Sequence, residues 1–292
     1  MQISRSKGEK LFDLANYTVL LIISIVMLYP FWHVLVRSVM SYDEAIQSGL
    51  HLFPQTISLE AYKYVFSNGG LLKGIYVSVF VTVGGTLYQL LITAMTSYAL
   101  TIKELPGRNV IIIMIIVTMF FGGGLIPYYL LIKNLGLIDN LLVMILPAAI
   151  STYNMIVMKS FMDNLPKELE ESAMIDGAGY FRILFTLILP LSVPVLATIG
   201  LFIAVGQWNN WFTAMLFLND QDMWPLALIL RDILVDNNTE LTRQTGYVSE
   251  SYLLGDSIKM AVVIISVIPI LAIYPFIQKY FVKGVMIGSL KG

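Results

Sequence analysis

Residues 74–102 read GIYVSVFVTVGGTLYQLLITAMTSYALTI, with no Asp, Glu, Lys or Arg between Lys73 and Lys103. A helix needs about 20 apolar residues to cross a hydrocarbon core, so this stretch can span one. Barrel strands would show alternation over about ten residues, which it lacks. Five further charge-free windows follow the same pattern: 14–36, 109–132, 140–158, 183–219 and 260–278. A charge at the centre of a spanning helix costs about 2.5–3.5 kcal/mol, so such gaps are what spans require. The window 183–219 is too long for one span. Pro190 and Pro194 divide it, which places a span near 195–217 and leaves 183–190 at the interface. The expectation is an all-α membrane protein with six transmembrane helices, near 14–36, 74–100, 108–126, 140–160, 195–217 and 259–280, in one membrane-spanning domain covering 1–292.

Composition agrees. Hydrophobic residues make up 57% of the 292 and charged residues 13%, against about 25% charge in a soluble domain. Mean hydropathy is +0.78. A net charge of −1 offers no electrostatic case for nucleic acid. With no cysteine there is no disulfide, thiolate metal site or cysteine nucleophile. Two histidines, His33 and His51, disfavour a histidine metal site. No G-x-x-x-x-G-K-[ST] loop occurs, so ATP cannot bind in the P-loop manner. No catalytic triad or paired-carboxylate site is legible, and the chain reads as a non-enzyme with no cofactor and no metal. Met1–Asp13 is polar and mildly basic, and the long apolar stretch after it has no cleavage pattern, so it reads as a first span.

Lys and Arg set orientation. With the N-terminus inside, the inner segments hold Arg5, Lys7, Lys10, Lys103, Arg108, Lys159, Lys167, Arg182, Lys279, Lys283 and Lys291. The outer segments hold Arg37, Lys63, Lys73, Lys133, Arg231, Arg243 and Lys259. This is eleven against seven. Both termini are then cytoplasmic, 161–190 is a cytoplasmic loop and 218–258 an external one. In the external loop, Leu226–Leu234 reads as an amphipathic stretch flat on the membrane, and 236–250 as a polar surface suited to a binding-protein partner.

The cytoplasmic segment 159–190, KSFMDNLPKELEESAMIDGAGYFRILFTLILP, is the most informative. Asn164, Pro166 and the acids after them read as a helix start: a cap, a first-turn proline and acids at the positive end of the dipole. Gly177 and Gly179 break that helix, and a second short helix runs from Tyr180 to Leu189-Pro190. A helical hairpin between two spans is either an amphipathic pair resting on the membrane or a docking element for a cytoplasmic partner.

Here the chain resembles a known family. Glu171-Ser172-Ala173, Asp176-Gly177-Ala178, Leu187 and Leu189-Pro190 match the EAA loop of ABC importer permeases: Glu-Ala-Ala, three residues, Gly, nine residues, an aliphatic, one residue, Leu-Pro. Ser172 and Leu187 are mild departures, from Ala and Ile. Tyr29-Pro30, Ser97-Tyr98-Ala99-Leu100, Pro106-Gly107-Arg108, Ile126-Pro127, Leu135-Gly136-Leu137, Trp208-Asn209 and the ending Lys283-Gly284…Gly288…Lys291-Gly292 are similar to maltose-type sugar permeases. The tail from Lys279 resembles the subgroup importing polysaccharide fragments such as pectin- or alginate-derived oligosaccharides. The resemblance implies a type I ABC importer permease fold in a bacterial inner membrane. It implies a second homologous permease forming a heterodimer, two cytoplasmic ATPase subunits, an extracytoplasmic solute-binding protein and surrounding lipid. It also implies that Glu171, Ser172, Ala173, Asp176, Gly177, Ala178, Leu189 and Pro190 couple the ATPase to transport.

The fifth span carries Gln207, Trp208, Asn209, Asn210 and Trp211. Polar groups at the midplane must find partners in protein or water. In one continuous helix Gln207, Asn210 and Trp211 share a face. They are either interhelical hydrogen bonds with an aromatic belt or a lining for sugar, with rings covering CH groups and amides meeting hydroxyls. A sugar path needs no charge, and this segment has none. Two alternatives remain: a permease for another solute, such as an amino acid, which predicts a charged lining, and an ion-coupled secondary transporter, which predicts intramembrane carboxylates or inverted repeats.

The orientation is testable because the chain has no native cysteine. Single cysteines replacing Ser4, Asn238 and Ser289 are expected to react with an impermeant maleimide in intact cells only at position 238; labelling at position 4 would invert the topology.

Overall fold

A computed structural model describes residues 7–41, 44, 52–67, 69–235 and 257–275. His51, most of the external loop (236–256), the end of the sixth expected span (276–280) and the glycine-bearing tail from Lys283 lie outside the described residues. The chain divides into two compact units: residues 1–69 with 233–267, and residues 70–232 with 268–292.

The first unit contains α1 (Lys7–Ser38) and α2 (Glu60–Ser67). The most apolar window of α1 is only 6% buried. A helix that is hydrophobic all round needs lipid or an apolar partner around it. The segment after α1 is held by directed bonds. The Trp32 indole N–H donates to the Leu52 carbonyl at 2.8 Å, and its ring meets Phe53 edge-on. Buried Glu44 accepts from the Gln55 amide at 2.8 Å and from that of Thr56. Most of α12 (Ser257–Pro275) belongs here too, and Ser257 Oγ donates to the Met40 carbonyl.

The second unit begins within α3 (Gly69–Ala99), the longest spanning helix after α1. Then come α4 (Arg108–Phe120), α5 (Leu125–Asn134), a 3-10 turn (Leu141–Met144), α6 (Thr152–Asp163), α7 (Lys167–Ile175), α8 (Tyr180–Leu191), α9 (Val193–Trp208), α10 (Trp211–Phe217), a short second 3-10 turn (Gln221–Met223) and α11 (Leu226–Val235). Three helices are long and apolar enough to cross a membrane alone. Two bent pairs, α4 with α5 at 116° and α8 with α9 at 85°, bring the number to five.

Each break has a local cause. After α4, Phe121 is extended and Gly124 has φ +84, and the chain turns into α5 as the Gly122-Gly123-Gly124 run requires. The α5 helix stops in a Schellman turn: the Gly136 amide donates to the Lys133 carbonyl, the Leu137 amide to that of Ile132, and Gly136 has φ +69. Ile132 and Leu137 pack in the same core. Between α8 and α9, Pro190 lacks the N–H that would continue the ladder, and Pro194 sits in the first turn of α9, where none is needed. A five-residue π-helical stretch, Leu184–Ile188, precedes the bend. The window 140–160, expected as one helix, is instead a 3-10 turn, a non-helical stretch through Pro147, and α6, whose N-cap Ser151 accepts from the Asn154 amide.

Two apolar cores hold this unit. One gathers Val77 and Val81 of α3, Ile132, Val143 and Met144 of the 3-10 turn, Phe217 and Leu228. The other gathers Ala94 and Tyr98 of α3, Met158 and Met162 of α6, Ile183 and Ile188 of α8, and Ile199 and Ile203 of α9. Small residues of α3 admit its neighbours. A Cβ on Gly74 would run into Ile229 Cδ1 of α11, and beside it the Leu226 amide donates to Ser78 Oγ at 2.8 Å. A Cβ on Gly85 would lie 2.8 Å from Gln207 Nε2, which itself donates to the Met144 carbonyl at 3.1 Å.

Gly85→Ala therefore pushes Gln207 off its carbonyl. The expected cost is about 1–3 kcal/mol, read as a lower Tm of the complex in detergent. Gly69→Ala, where a Cβ meets nothing within 4 Å, should leave Tm unchanged or raise it slightly; equal Tm values for the two variants would remove Gly85 as a packing determinant.

Candidate functional site: the coupling hairpin and the broken fifth span

The EAA segment forms α7, a turn and α8. Helix α7 starts at Lys167 with Pro166 in the capping position, its φ near −60° suited to the entry and its side chain unable to cap. Glu168 and Glu170 lie in the first turn, at the positive end of the dipole. Asn164, expected as the cap of this helix, instead closes the preceding one: it follows Asp163 in α6, and its Nδ2 donates to the Ser160 carbonyl at 2.6 Å. Its proximity to Pro166 made the two ends indistinguishable by sequence.

The helix stops in a second Schellman turn. The Gly177 amide donates to the Met174 carbonyl at 3.0 Å and the Ala178 amide to that of Ala173 at 2.9 Å, with Gly177 at φ +81. The turn needs a residue tolerant of positive φ four positions after the first bonded carbonyl, and apolar residues at the ends of the longer bond. Ala173, Gly177 and Ala178 meet that need, so the spacing of the motif is the spacing of a helix stop. Ala173 and Ala178 pack, partly buried, on the core shared by α3, α6, α8 and α9, and so do Leu187 and Leu189. Glu171, Ser172, Asp176 and Gly177 are exposed on the opposite side, and Pro190 is exposed at the bend. Between these acids stand apolar side chains that sequence reasoning passed over: Ile175 is 87% exposed and Phe181 70%. Ile175 and Phe181 thus give the hairpin an exposed apolar surface beside its acids.

Beside α7 lies a pocket of about 280 Å³ lined by Tyr98, Lys103, Glu104, Glu170, Glu171 and Met174, among others. Tyr98 is buried, and its hydroxyl lies near Glu170 without completing a hydrogen bond of proper geometry. The loop after α3 is fixed by Arg108, whose Nε donates to the Leu100 carbonyl at 2.8 Å.

The polar run of the fifth span is not one helical face. The α9 helix stops at Trp208, and Asn210 opens α10 by accepting from the Thr213 amide at 3.2 Å. Asn209 Nδ2 donates back to the Val205 carbonyl at 2.8 Å. The amides thus serve the helix break, and the expected common face of Gln207, Asn210 and Trp211 does not form. Gln207 and Trp208 are buried, Asn209 and Trp211 exposed. A feature no local pattern indicated joins them: the Arg231 guanidinium of α11 lies 5.0 Å from the Trp211 ring centroid.

The segment between α5 and the 3-10 turn is clasped to the end of α10. The Asp139 carboxylate accepts from the Asn219 amide, from Asn219 Nδ2 and from the Asp220 amide, and its own amide donates to the Phe217 carbonyl. The Asn219 side chain first, then its backbone N–H and that of Asp220, hold the Asp139 carboxyl below the usual carboxylate range. Among the described residues no cluster of His, Asp or Glu is suited to a metal.

A helical hairpin packed on a bundle of apolar helices, some long enough to cross a membrane, defines a class of membrane subunit. Residues 108–287 match the family described as binding-protein-dependent transport system inner membrane component. The chain is 42% identical over 284 residues to the polygalacturonan/rhamnogalacturonan transport system permease protein YtcP of Bacillus subtilis, covering 97% of this chain and 99% of that one. It is 27% identical to the arabinooligosaccharides transport system permease protein AraQ of Halalkalibacterium halodurans, over 92% and 93% of the two. A crystal structure of a bacterial ABC transporter involved in the import of the acidic polysaccharide alginate contains a chain matched at TM-score 0.88 and 31% identity, over 96% of this chain and all of that one. The chain belongs to the family of binding-protein-dependent inner-membrane permease subunits of ABC importers. It is a transport subunit rather than an enzyme, and the ion-coupled alternative falls away.

Gly177→Ala is expected to strain the turn by about 1–2 kcal/mol, because a Cβ at this φ approaches the following carbonyl. The site is otherwise open, with nothing within 4 Å. Limited proteolysis of the purified complex should cut faster at 176–180 in this variant. Gly179→Ala, at an ordinary φ of −77, should not change the rate; equal rates for all three proteins would show that the turn does not depend on Gly177.

Proposed function

We propose that this subunit translocates an oligosaccharide, of the pectin- or alginate-derived kind, into the bacterial cytoplasm. It does so as one half of a heterodimeric pore in lipid, with a second homologous permease, two cytoplasmic ATPase subunits and an external solute-binding protein. The N- and C-termini face the cytoplasm and 218–258 faces outward. The observation that carries the coupling role is the two-sidedness of the hairpin: Glu171 and Asp176 outside, Ala173 and Ala178 in the core of the spans.

The consequence is mechanical. A tightly packed core transmits displacement instead of absorbing it. An ATPase that closes and carries α7 with it also pushes on Met158, Met162, Ile199 and Ile203 through the packed alanines. The outward acids offer charge-assisted bonds to Arg or Lys of the ATPase, while Ile175 and Phe181 supply apolar contact. Leu189 and Pro190 end the lever at the 85° bend into α9. For the solute, the names of the relatives and of the structural neighbour support a sugar. Asn209, Asn210 and Trp211 are proposed for its path, and Gln207 and Trp208, buried in this chain, hold that break in place.

Glu171→Lys replaces an attracting charge by a repelling one at the rim of the hairpin. The complex is expected to retain its permeases, to lose bound ATPase, and to lower binding-protein-stimulated ATP hydrolysis about tenfold, the equivalent of one charge-assisted hydrogen bond. The same holds for Gly177→Asp, which adds strain and a further acid. Wild-type ATPase stoichiometry together with wild-type oligosaccharide uptake in proteoliposomes for both variants would remove the coupling role from this loop.

A further inference from the structure

The guanidinium above Trp211 is unusual for its surroundings. Arg231 lies in LALILRDILV, a helix whose Leu226, Leu228 and Ile229 are buried. Arg231 is half-buried. Among the described residues it forms no ion pair with a carboxylate; the group it faces is the indole ring of Trp211, 5.0 Å from the centroid. A cation over an aromatic face is held in a fixed orientation but not neutralised. Its planar fork keeps N–H donors for an anion, and the carboxylate is the anion that fork matches in two parallel bonds.

The ring beneath is equally uncommitted. Trp211 is 38% exposed, its ring meets Phe212 edge-on at 5.7 Å and Arg231 over its face, and its indole N–H makes no hydrogen bond among the described residues. Next to it in sequence stand Asn209, exposed, and Asn210, half-buried. The cluster comes from three elements: the α9–α10 break, the first residue of α10 and the middle of α11. It combines an apolar ring face, amide groups and one fixed positive charge. Neutral sugars need the first two; a sugar carrying a carboxylate uses all three.

We infer that Arg231 and Trp211 form a binding site for a uronic-acid residue, the guanidinium taking the carboxylate and the indole the sugar's CH face. The inference rests on the oligosaccharide reading above and deepens it by assigning the acidic residue of such a sugar a place in this chain. It also supplies the charge missing from the sequence of the fifth span, because that charge arrives from a different helix.

The test uses the complete importer, with partner permease, ATPase and binding protein, in proteoliposomes. The probe is trigalacturonate. Wild type is expected to take it up. Arg231→Gln should raise the half-saturating concentration about tenfold, the size expected for losing one charged hydrogen-bond partner, with subunit stoichiometry unchanged. Should Arg231→Gln not assemble, Trp211→Leu, which removes ring and indole N–H but no charge, carries the same comparison with the same expected loss. Uptake by an assembled variant at the wild-type half-saturation, with wild type transporting trigalacturonate, overturns the site and leaves the oligosaccharide reading standing. A defect seen only in vesicles containing anionic lipid, and absent in phosphatidylcholine alone, assigns Arg231 to a lipid phosphate and also overturns it. Failure of wild type to transport trigalacturonate, while a neutral trisaccharide is carried, overturns the acidic-sugar class itself. Transport of neither would count against the oligosaccharide reading.

Discussion

Every helix that ends in apolar surroundings leaves backbone amides and carbonyls that water cannot satisfy, and residues 70–232 are organised by where those groups find partners. The Met144 carbonyl, in the broken segment around Pro147, takes Gln207 Nε2. The Leu226 amide, at the start of α11, takes Ser78 Oγ from the middle of α3. The end of α10 is answered by Asp139, which binds the Asn219 and Asp220 amides. These bonds tie elements far apart in sequence at the points where the spans are interrupted. The helix breaks are thus joints with defined partners, and Gly74 and Gly85 exist to let those partners reach them.

The same requirement explains the hairpin of α7 and α8. A helix projecting from the bundle has to stop, and its last carbonyls have to be bonded. The Schellman turn at Ala173–Ala178 does both, and buries its two alanines against α3, α6 and α9. Once the alanines face inward, periodicity sends Glu171 outward, and the turn does the same for Asp176. The arrangement that ends the helix therefore also gives it two faces, a core on one side and exposed acids and apolar side chains on the other, which is what the proposed coupling role requires. The π-helical stretch, Pro190 at the end of α8 and Pro194 in the first turn of α9 then set the direction in which the hairpin meets the span.

The broken fifth span carries the residues proposed for the substrate path. Had α9 continued to residue 217, Gln207 and Trp211 would stand on one stripe and Arg231 would have nothing to lie over. With the break, Gln207 turns into the core, Asn209 and Asn210 satisfy the two helix ends, and Trp211 is left with an exposed face under a cation. Polar residues that read as a lining are partly the fittings of the break, and the positive charge beside Trp211 comes from outside the span.

The sequence by itself determined the elements whose causes are local. Charge-free windows mark where hydrocarbon can be tolerated, glycine and proline mark where helices stop, and the spacing from Ala173 to Gly177 marks a helix stop of one kind, because each depends on residues a few positions apart. The tertiary structure decided what depends on distant residues. Asn164 belongs to α6 rather than α7 because the Ser160 carbonyl is there to receive it. The window 140–160 is interrupted because Gln207, sixty-three positions away, satisfies a freed carbonyl. Arg231 reaches Trp211 because α11 packs back on α3 through Gly74. No local pattern contains those partners, and a hydrogen bond or a cation over a ring acts only across the few ångströms that packing brings about.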